Sequence, residues 1–388
     1  MKKRLLATLL SSTLVMPSLA GCSSKSENGD MVTELTKPIT IEMWHYMNGG
    51  QAEVLNEIIE DFNATNDKGI TVNAISQGSI VDLNKKVISA AQSNSLPAII
   101  NVYPDVATGL IEDKKLVNLS SFINDKNVGM ADEMDDFVDA FIQETSQWNN
   151  GEVYGLPMTK STEVLYVNKN MLESLGYTLE DLEDLTFEKL AEISNKAVTE
   201  LGVAGFGFDS SSNAFISSLK MDGLDFVDSK GTINVDNEWV REYMTFFQKQ
   251  AESGAFRIAG EDKFLSNPFV NQKMLCYQGS SAGYAYLNND GAFEIAVVEV
   301  PVFEGKDKAV MQQGASLFVT NNVSAEAHYA AYEFVKFATN AENTAKFATA
   351  TGYLPVRKSA VETEIVKNIL NDETSLYSQV YNVAQKSL

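Results

Sequence analysis

The chain has almost none of the residues that staple or metallate an exported protein. Two cysteines and two histidines occur in 388 residues. One disulfide is the most they allow, so a disulfide scaffold is excluded and the fold must stand on its core. They also offer no zinc-type spacing. Asp132, Glu133, Asp135 and Asp136 crowd together, yet lack the alternate-position spacing and the glycine of a calcium loop. They read as a solvated acidic face. Positive charge is scarce too, with 30 Lys+Arg against 52 Asp+Glu. Such a balance repels nucleic acid and anionic lipid headgroups. It leaves room for a small anionic ligand, because screening acts over roughly 8 Å at physiological salt. Past the first twenty residues no apolar run is long enough to cross a bilayer. Neither metal nor cofactor is expected.

What is present begins at the N-terminus. Lys2, Lys3 and Arg4 precede an apolar run from Leu5 to Leu19, too short for a mature membrane span and suited to a secretory signal. The run closes on Leu19-Ala20-Gly21-Cys22, which resembles the lipobox of bacterial lipoproteins, where the cysteine is lipidated and becomes the new N-terminus. An ordinary cleavage site beside a chance cysteine is the bland alternative. The resemblance implies a signal peptide over 1–21 and a lipid anchor at Cys22, on the outer face of the cytoplasmic membrane. Residues 22–37 are polar and lack aromatics, as a flexible tether should be. Removing 1–21 takes away three positive charges and no acidic residue, leaving 27 Lys+Arg against 52 Asp+Glu. Cys276 is then unpaired. With 44% hydrophobic residues, the remaining chain can fill two domains.

Hydrophobic periodicity gives an α/β pattern. Ile39 to Trp44 alternates as a strand; Val54, Leu55, Ile58, Ile59 and Phe62 recur at helical spacing; Ile70, Val72 and Ala74 form a second strand. Val81, Leu83, Val87 and Ala91 predict a helix, and Ala98 to Val102 a buried strand between Pro97 and Pro104. This succession is the signature of a parallel sheet, whose ligands sit at the carboxyl ends of the strands. Trp44, His45, Tyr46, Gly78, Ser79, Tyr103 and Asp105 therefore line a candidate cleft. Farther on, Asn150-Gly151 predicts a hairpin turn, Glu163 to Asn168 a strand, and Asn168 the start of a helix. Helices are expected over Glu188–Val198, Glu238–Ala251 and Ser324–Ala338, with strands over Met274–Tyr277 and Ile295–Val302.

Gly279-Ser280-Ser281-Ala282-Gly283 fits G-x-S-x-G, the nucleophile-elbow pattern, and allows a secreted serine esterase using Ser281. The downstream histidine, His328, starts a helix that reads as surface, whereas a triad histidine must reach the serine. A second reading makes the same turn a donor of backbone N–H groups and of the Ser280 and Ser281 hydroxyls to a ligand. A plain tight turn is the third. Trp44, Tyr46, Tyr103, Trp148, Tyr284, Tyr286 and Tyr353 offer flat faces for a sugar ring, of which Trp44, Tyr103 and Tyr353 lie at strand ends or breaks. A surface adhesion protein without a small ligand is a further class.

Several motifs occur together in order: Trp44-His45, Phe62-Asn63, Leu96 to Ile100, Tyr154-Gly155-Leu156-Pro157, Ser161 to Lys169, Gly314 to Val319 and Thr351 to Val356. Together they resemble the extracellular solute-binding proteins of ABC importers, in the large carbohydrate-binding family 1. The chain is most similar to the glycerol-3-phosphate-binding branch, through Leu96 to Leu119. The resemblance implies an α/β two-lobe type II fold with the ligand cleft between lobes joined by three hinge crossings, near Met158–Ser161, Val300–Phe303 and Gly352–Val356. It implies lobes of 38–159 with 302–352 and of 160–301 with 353–388. It also implies a non-enzymatic monomer that captures a sugar or sugar/polyol phosphate and hands it to ABC permease subunits. Ser161, Ser280 or Ser281, Gly314 and Tyr353 fall where that branch places polar contacts. Its aromatic after the second strand is matched by Ile80, its acidic residue by Pro104 with Asp105 beside it, and its C-terminal arginine by nothing. Lys160 and Arg357 lie near the hinges and could compensate for the missing arginine, although a solvated position is expected for either.

Overall fold

The computed structural model describes residues 31–228 and 230–387. The expected signal peptide and Cys22 lie outside them. Local chemistry sets the first layer. Strand β1 (Ile39–His45) leads to helix α1 (Gly50–Thr65), whose Leu55, Ile58, Ile59 and Phe62 are buried. The next strand is then clamped to that helix by two asparagines. Asn63 bonds both backbone groups of Val72, at 2.8 and 3.1 Å, and Asn66 both of Ile70, at 2.9 Å each. Both partners lie in β2 (Ile70–Ser76). Helix α2 (Ile80–Ser93) starts at a capping box, with Ser79 accepting from the Asp82 amide and Asp82 accepting from that of Ser79. It stops where Asn94 turns left-handed at φ 52°. Its buried face is Leu83, Val87, Ala90 and Ala91, while Val81, expected among them, is 55% exposed. Strand β3 (Ile99–Val102), α3 (Pro104–Glu112) and the short α4 (Ser120–Ile123) follow.

Helix α5 (Asp139–Thr145) precedes the one long strand, β4 (Gly155–Asn168), buried along all fourteen residues. At about 3.3 Å per residue it runs some 45 Å. Asn149, Asn150 and Gly151 all have positive φ in the tight turn before it, between bridged Trp148 and Glu152. Asn168 caps α6 (Lys169–Ser174) by accepting from the Met171 amide at 3.0 Å, as expected. Then come α7 (Phe187–Leu201), β5 (Phe206–Phe208), α8 (Ser211–Met221), α9 (Glu238–Glu252), β6 (Phe256–Ile258) and α10 (Ser266–Val270). The chain continues through β7 (Cys276–Ser280), β8 (Ile295–Val298), β9 (Gln312–Val319), α11 (Ala325–Ala338) and α12 (Ala341–Thr351). It closes with α13 (Glu364–Leu370) and α14 (Leu376–Gln385). Strand β7 sits later than the apolar run suggested, and β8 ends before Pro301.

The strands join in the order β2-β1-β3-β9-β4-β7-β5-β6, with β8 also on β4. Strands β1, β2 and β3 are mutually parallel, as are β5, β6 and β7; every pairing of β4 is antiparallel. Strand β4 is shared: its residues 155–162 pair with β9, and 163–168 with β7 and β8. Two half-sheets thus hang on one strand. Helices α1, α11 and α12 cover the first half, where Phe62 meets Phe334 and Phe337 at 5.2 Å. Such ring pairs add about 0.5–1.5 kcal/mol each beyond burial. An aromatic core of Phe187, Phe206, Phe247, Phe303, Trp239 and Tyr243 fills the second half. The helix carrying His328 is not a surface helix: every residue from Ala327 to Val335 is buried.

Candidate functional site

Where the half-sheets meet, three tyrosines and two polar networks converge. Tyr46 follows β1, Tyr103 caps α3 after β3, and Tyr353 follows α12. The Tyr46 hydroxyl lies 3.0 Å from Thr159 Oγ1 and 3.3 Å from the Tyr353 hydroxyl. Burial pushes all three phenols up, and each is pushed further by another of the three. They stay neutral at any physiological pH. Tyr353 also stacks on Phe347 at 5.8 Å, which fixes its ring. Tyr286, 64% exposed, reaches this cluster from the other half.

The crossing strand supplies the rest. A bulge at Met158, between the Pro157–Ser316 and Thr159–Ala315 pairs, resets which face each later residue presents. Lys160 is fully buried, pairs with Glu144 of α5, and gives a further bond to the Gly314 carbonyl at 3.3 Å. Desolvation pulls its ammonium pKa down, and Glu144 opposes that pull. Gln312 Nε2 also donates to Glu144, at 3.1 Å. Gly314 has φ +109°, and a Cβ there would stand 1.7 Å from the Thr159 carbonyl oxygen. Only glycine lets β9 come this close to β4.

The second network begins one residue on. Ser280 Oγ donates to Ser161 Oγ at 3.1 Å, and Ser161 Oγ to Gln313 Oε1 at 3.4 Å. Glu163 accepts from Gln278 at 2.7 Å, Asn213 at 3.0 Å and Gln313 at 3.3 Å. Burial raises the Glu163 carboxyl, the amide donors pull it back, and nearby Asp209 adds to the rise.

Of the expected site residues, Tyr103, Ser161, Ser280, Gly314 and Tyr353 come together here. Others are placed elsewhere. Trp44 packs with Leu83, Val87 and Phe318, its Nε1 on Glu42 and Lys86 Nζ 4.4 Å from its ring centre. His45 is buried and accepts from the Met47 amide, and desolvation lowers its pKa to about 4. Asp105 is exposed in the first turn of α3, but two residues from Tyr103 its charge helps push that phenol up, so it stands at the edge of the cluster rather than away from it. Ser281 has no exposure, and its Oγ accepts the Thr162 amide at 3.3 Å. Neither histidine is among its hydrogen-bond partners, so the nucleophile elbow is overturned: a substrate cannot reach that oxygen. Arg357 is not solvated but buried, donating to the Thr339 and Glu133 carbonyls, with its guanidinium 3.8 Å from the Phe137 ring centre. Glu133 and Asp136 flank it at 3.4 and 3.7 Å, so part of the acidic cluster balances a buried cation rather than facing water alone. Lys160 is likewise inside.

Sequence reasoning missed Glu144, Thr159, Glu163, Asn213, Gln278 and Gln313. The available signal was Lys160 and Glu163 flanking Ser161-Thr162 inside an otherwise apolar strand, since charges there require partners.

Comparison with known proteins places this geometry. The family described as bacterial extracellular solute-binding protein matches residues 57–371. The sn-glycerol-3-phosphate-binding periplasmic protein UgpB of Escherichia coli K12 is 24% identical over 337 residues, covering 83% of this chain and 75% of its own. Among solved structures, UgpB from Mycobacterium tuberculosis in complex with glycerophosphocholine superposes with a TM-score of 0.76 at 21% identity, covering 90% of this chain and 86% of that one. Maltose-bound MalE3 of T. maritima gives 0.73 at 19%, covering 89% and 88%. The fold is therefore the two-lobe type II arrangement, with β4 as one of its crossings.

Proposed function

The chain belongs to the bacterial extracellular solute-binding proteins, and from that premise we propose that it is the binding lipoprotein of an ABC importer. It captures a sugar or a glycerol-3-phosphate-type ligand by lobe closure and delivers it, as a monomer, to membrane permease subunits. The lobes are residues 38–159 with 302–352 and 160–301 with 353–388, corrected at two edges: Phe303 packs on Phe187 in the second half, and residues 353–358 return to the first, where the Val138 amide donates to the Val356 carbonyl and Arg357 to that of Thr339. What carries this reading is the meeting at β4 of hydroxyl groups from both half-sheets: Tyr46 and Tyr353 on one side, Ser161 with Ser280 on the other. The third crossing is tied to the first by the Leu354 amide on the Lys160 carbonyl at 2.7 Å. Of the tail, α13 leans on α12, and α14 on β8 and β4. A ligand bridging both lobes gains contacts as they close, so it shifts the population toward the closed form.

All three arginines among the described residues are engaged: Arg241 with Asp236 at 2.9 Å, Arg257 with Asp262, and Arg357 as described. A bidentate phosphate fork is thus missing from the described residues. An anchor at Cys22, outside them, holds the body at the membrane and raises its local concentration there; loss of labelled-palmitate incorporation in Cys22→Ser checks it. The reading is tested by thermal shift with maltose, other saccharides, sn-glycerol 3-phosphate and glycerophosphocholine. A ligand at 100 times its dissociation constant adds about 2.7 kcal/mol. If no member of the panel raises the melting temperature, the importer reading fails.

A further inference from the structure

Glu163 is a carboxylate buried to 3% exposure with no lysine, arginine or histidine paired to it among the described residues. Its partners are the side-chain amides of Gln278, Asn213 and Gln313, from β7, α8 and β9. A carboxylate only accepts, so each amide must turn its NH2 end toward Glu163 and its carbonyl end away. The consequence runs on through hydroxyls. Gln313 Oε1, turned outward, takes the proton of Ser161; Ser161 Oγ takes that of Ser280; Ser280 Oγ takes the Ala282 amide. Both serines have their single proton committed inside the network, and what they have left to offer is lone pairs. Asp209 lies close enough to raise the Glu163 carboxyl further, so the potential here is negative. Across the crossing, Lys160, the one buried ammonium among the described residues, is committed to Glu144 and the Gly314 carbonyl.

We propose that Glu163 is a specificity-determining positioning residue: by orienting these amides and serines it makes the wall of the cleft an acceptor surface, which selects a neutral, hydroxyl-rich ligand and rejects a phosphate ester. This rests on the importer reading and narrows its ligand. A saccharide or polyol supplies the O–H donors such a wall needs. A phosphate brings only acceptors and negative charge, and at this wall it meets like charge and serine hydroxyls whose protons are already committed.

Isothermal titration of the full-length protein, wild type and Glu163→Gln, against neutral saccharides, sn-glycerol 3-phosphate and glycerophosphocholine tests it. The wild type is expected to bind a saccharide at least about 100-fold more tightly than either phosphate ester, the scale set at its upper end by one buried polar group left unsatisfied. In Glu163→Gln the amide can donate as well as accept, the orientation is lost, and that ratio should fall by about tenfold or more. A merely structural role would weaken both ligand classes alike and leave the ratio unchanged, which overturns the proposal. Ser161→Ala, which interrupts the same relay one step on, is expected to lower the ratio too and serves if Glu163→Gln does not fold. Wild-type binding of either phosphate ester as tightly as any saccharide overturns the proposal while leaving the importer reading intact. Failure of every probe to bind overturns both.

Discussion

Asp209 shows how a single side chain in this cleft reports on its surroundings. It follows β5, accepts the Leu265 amide at 2.6 Å, and desolvation raises its pKa to about 6 against an ordinary 3.8. The folded state therefore holds a proton between about pH 4 and 6 that the unfolded chain has already released. Its contribution is most favourable below that window and is lost as pH rises through it. Asp209→Asn keeps the acceptor for Leu265 and removes the cost of the buried charge. Equilibrium urea unfolding from pH 4 to 8 should show equal stabilities near pH 4, with the variant gaining about 3 kcal/mol by pH 7. A difference constant across pH would remove Asp209 as the titrating group. His45 opposes it, since its pKa is lowered to about 4 and its neutral form loses ground as pH falls below 6.5. That term is common to both proteins and cancels in the comparison. At this scale the sequence was least legible. Glycines and tyrosines at strand ends announced themselves by position, whereas Glu163 and Asn213 matter through partners 50 positions apart in the chain.

Among the elements, β4 joins the two half-sheets and holds α5 as well, because its buried Lys160 pairs with Glu144. The two partners are unequally exposed: Lys160 has none of its side chain in solvent and Glu144 has 18%. Removing Glu144 leaves an uncompensated buried ammonium, a loss of about 3–5 kcal/mol. Removing Lys160 leaves a carboxylate that water can reach, so Lys160→Met should cost less than Glu144→Ala. Chemical denaturation of both variants checks the order, and a larger loss in Lys160→Met contradicts this account of the pair. The same strand explains where element reading from sequence stopped. Its second half, Glu163 to Asn168, was plain from apolar and β-branched residues. Its first half was hidden because Thr159, Lys160, Ser161 and Thr162 look like a loop until their buried partners are known. Conversely α1, α7 and α9 were legible because one face of each is solvated, so polar residues mark the period. Helix α11 is buried nearly all round, and its single histidine misled for that reason.

For the whole molecule, the question is how freely the half-sheets move about three crossings. Gly352 begins the third of the crossings proposed above. Its φ is +83°, closing α12, and a Cβ there would meet the Tyr284 ring at 2.6 Å and the Ala282 Cα at 3.1 Å. Both contacts belong to the 3-10 turn Ser281–Tyr286, which follows β7 of the second half and whose Tyr284 hydroxyl donates to the Thr349 carbonyl of α12 at 2.9 Å. A side chain at 352 is therefore a wedge between the halves, in a conformation that non-glycine residues adopt at a cost of about 1–3 kcal/mol. Small-angle scattering of the wild type should contract when a bound saccharide closes the lobes. Gly352→Val should scatter as a larger particle without ligand, contract less at saturation, and bind more weakly, since less of the closed population is available to select. Urea unfolding separates the stability loss from the shift in closure, because a variant that is merely less stable keeps the wild-type dimensions under native conditions. Identical scattering curves for the two folded proteins, with and without saccharide, would mean that Gly352 is a cap and not a hinge, and that closure turns on β4 and the segment before β9 alone.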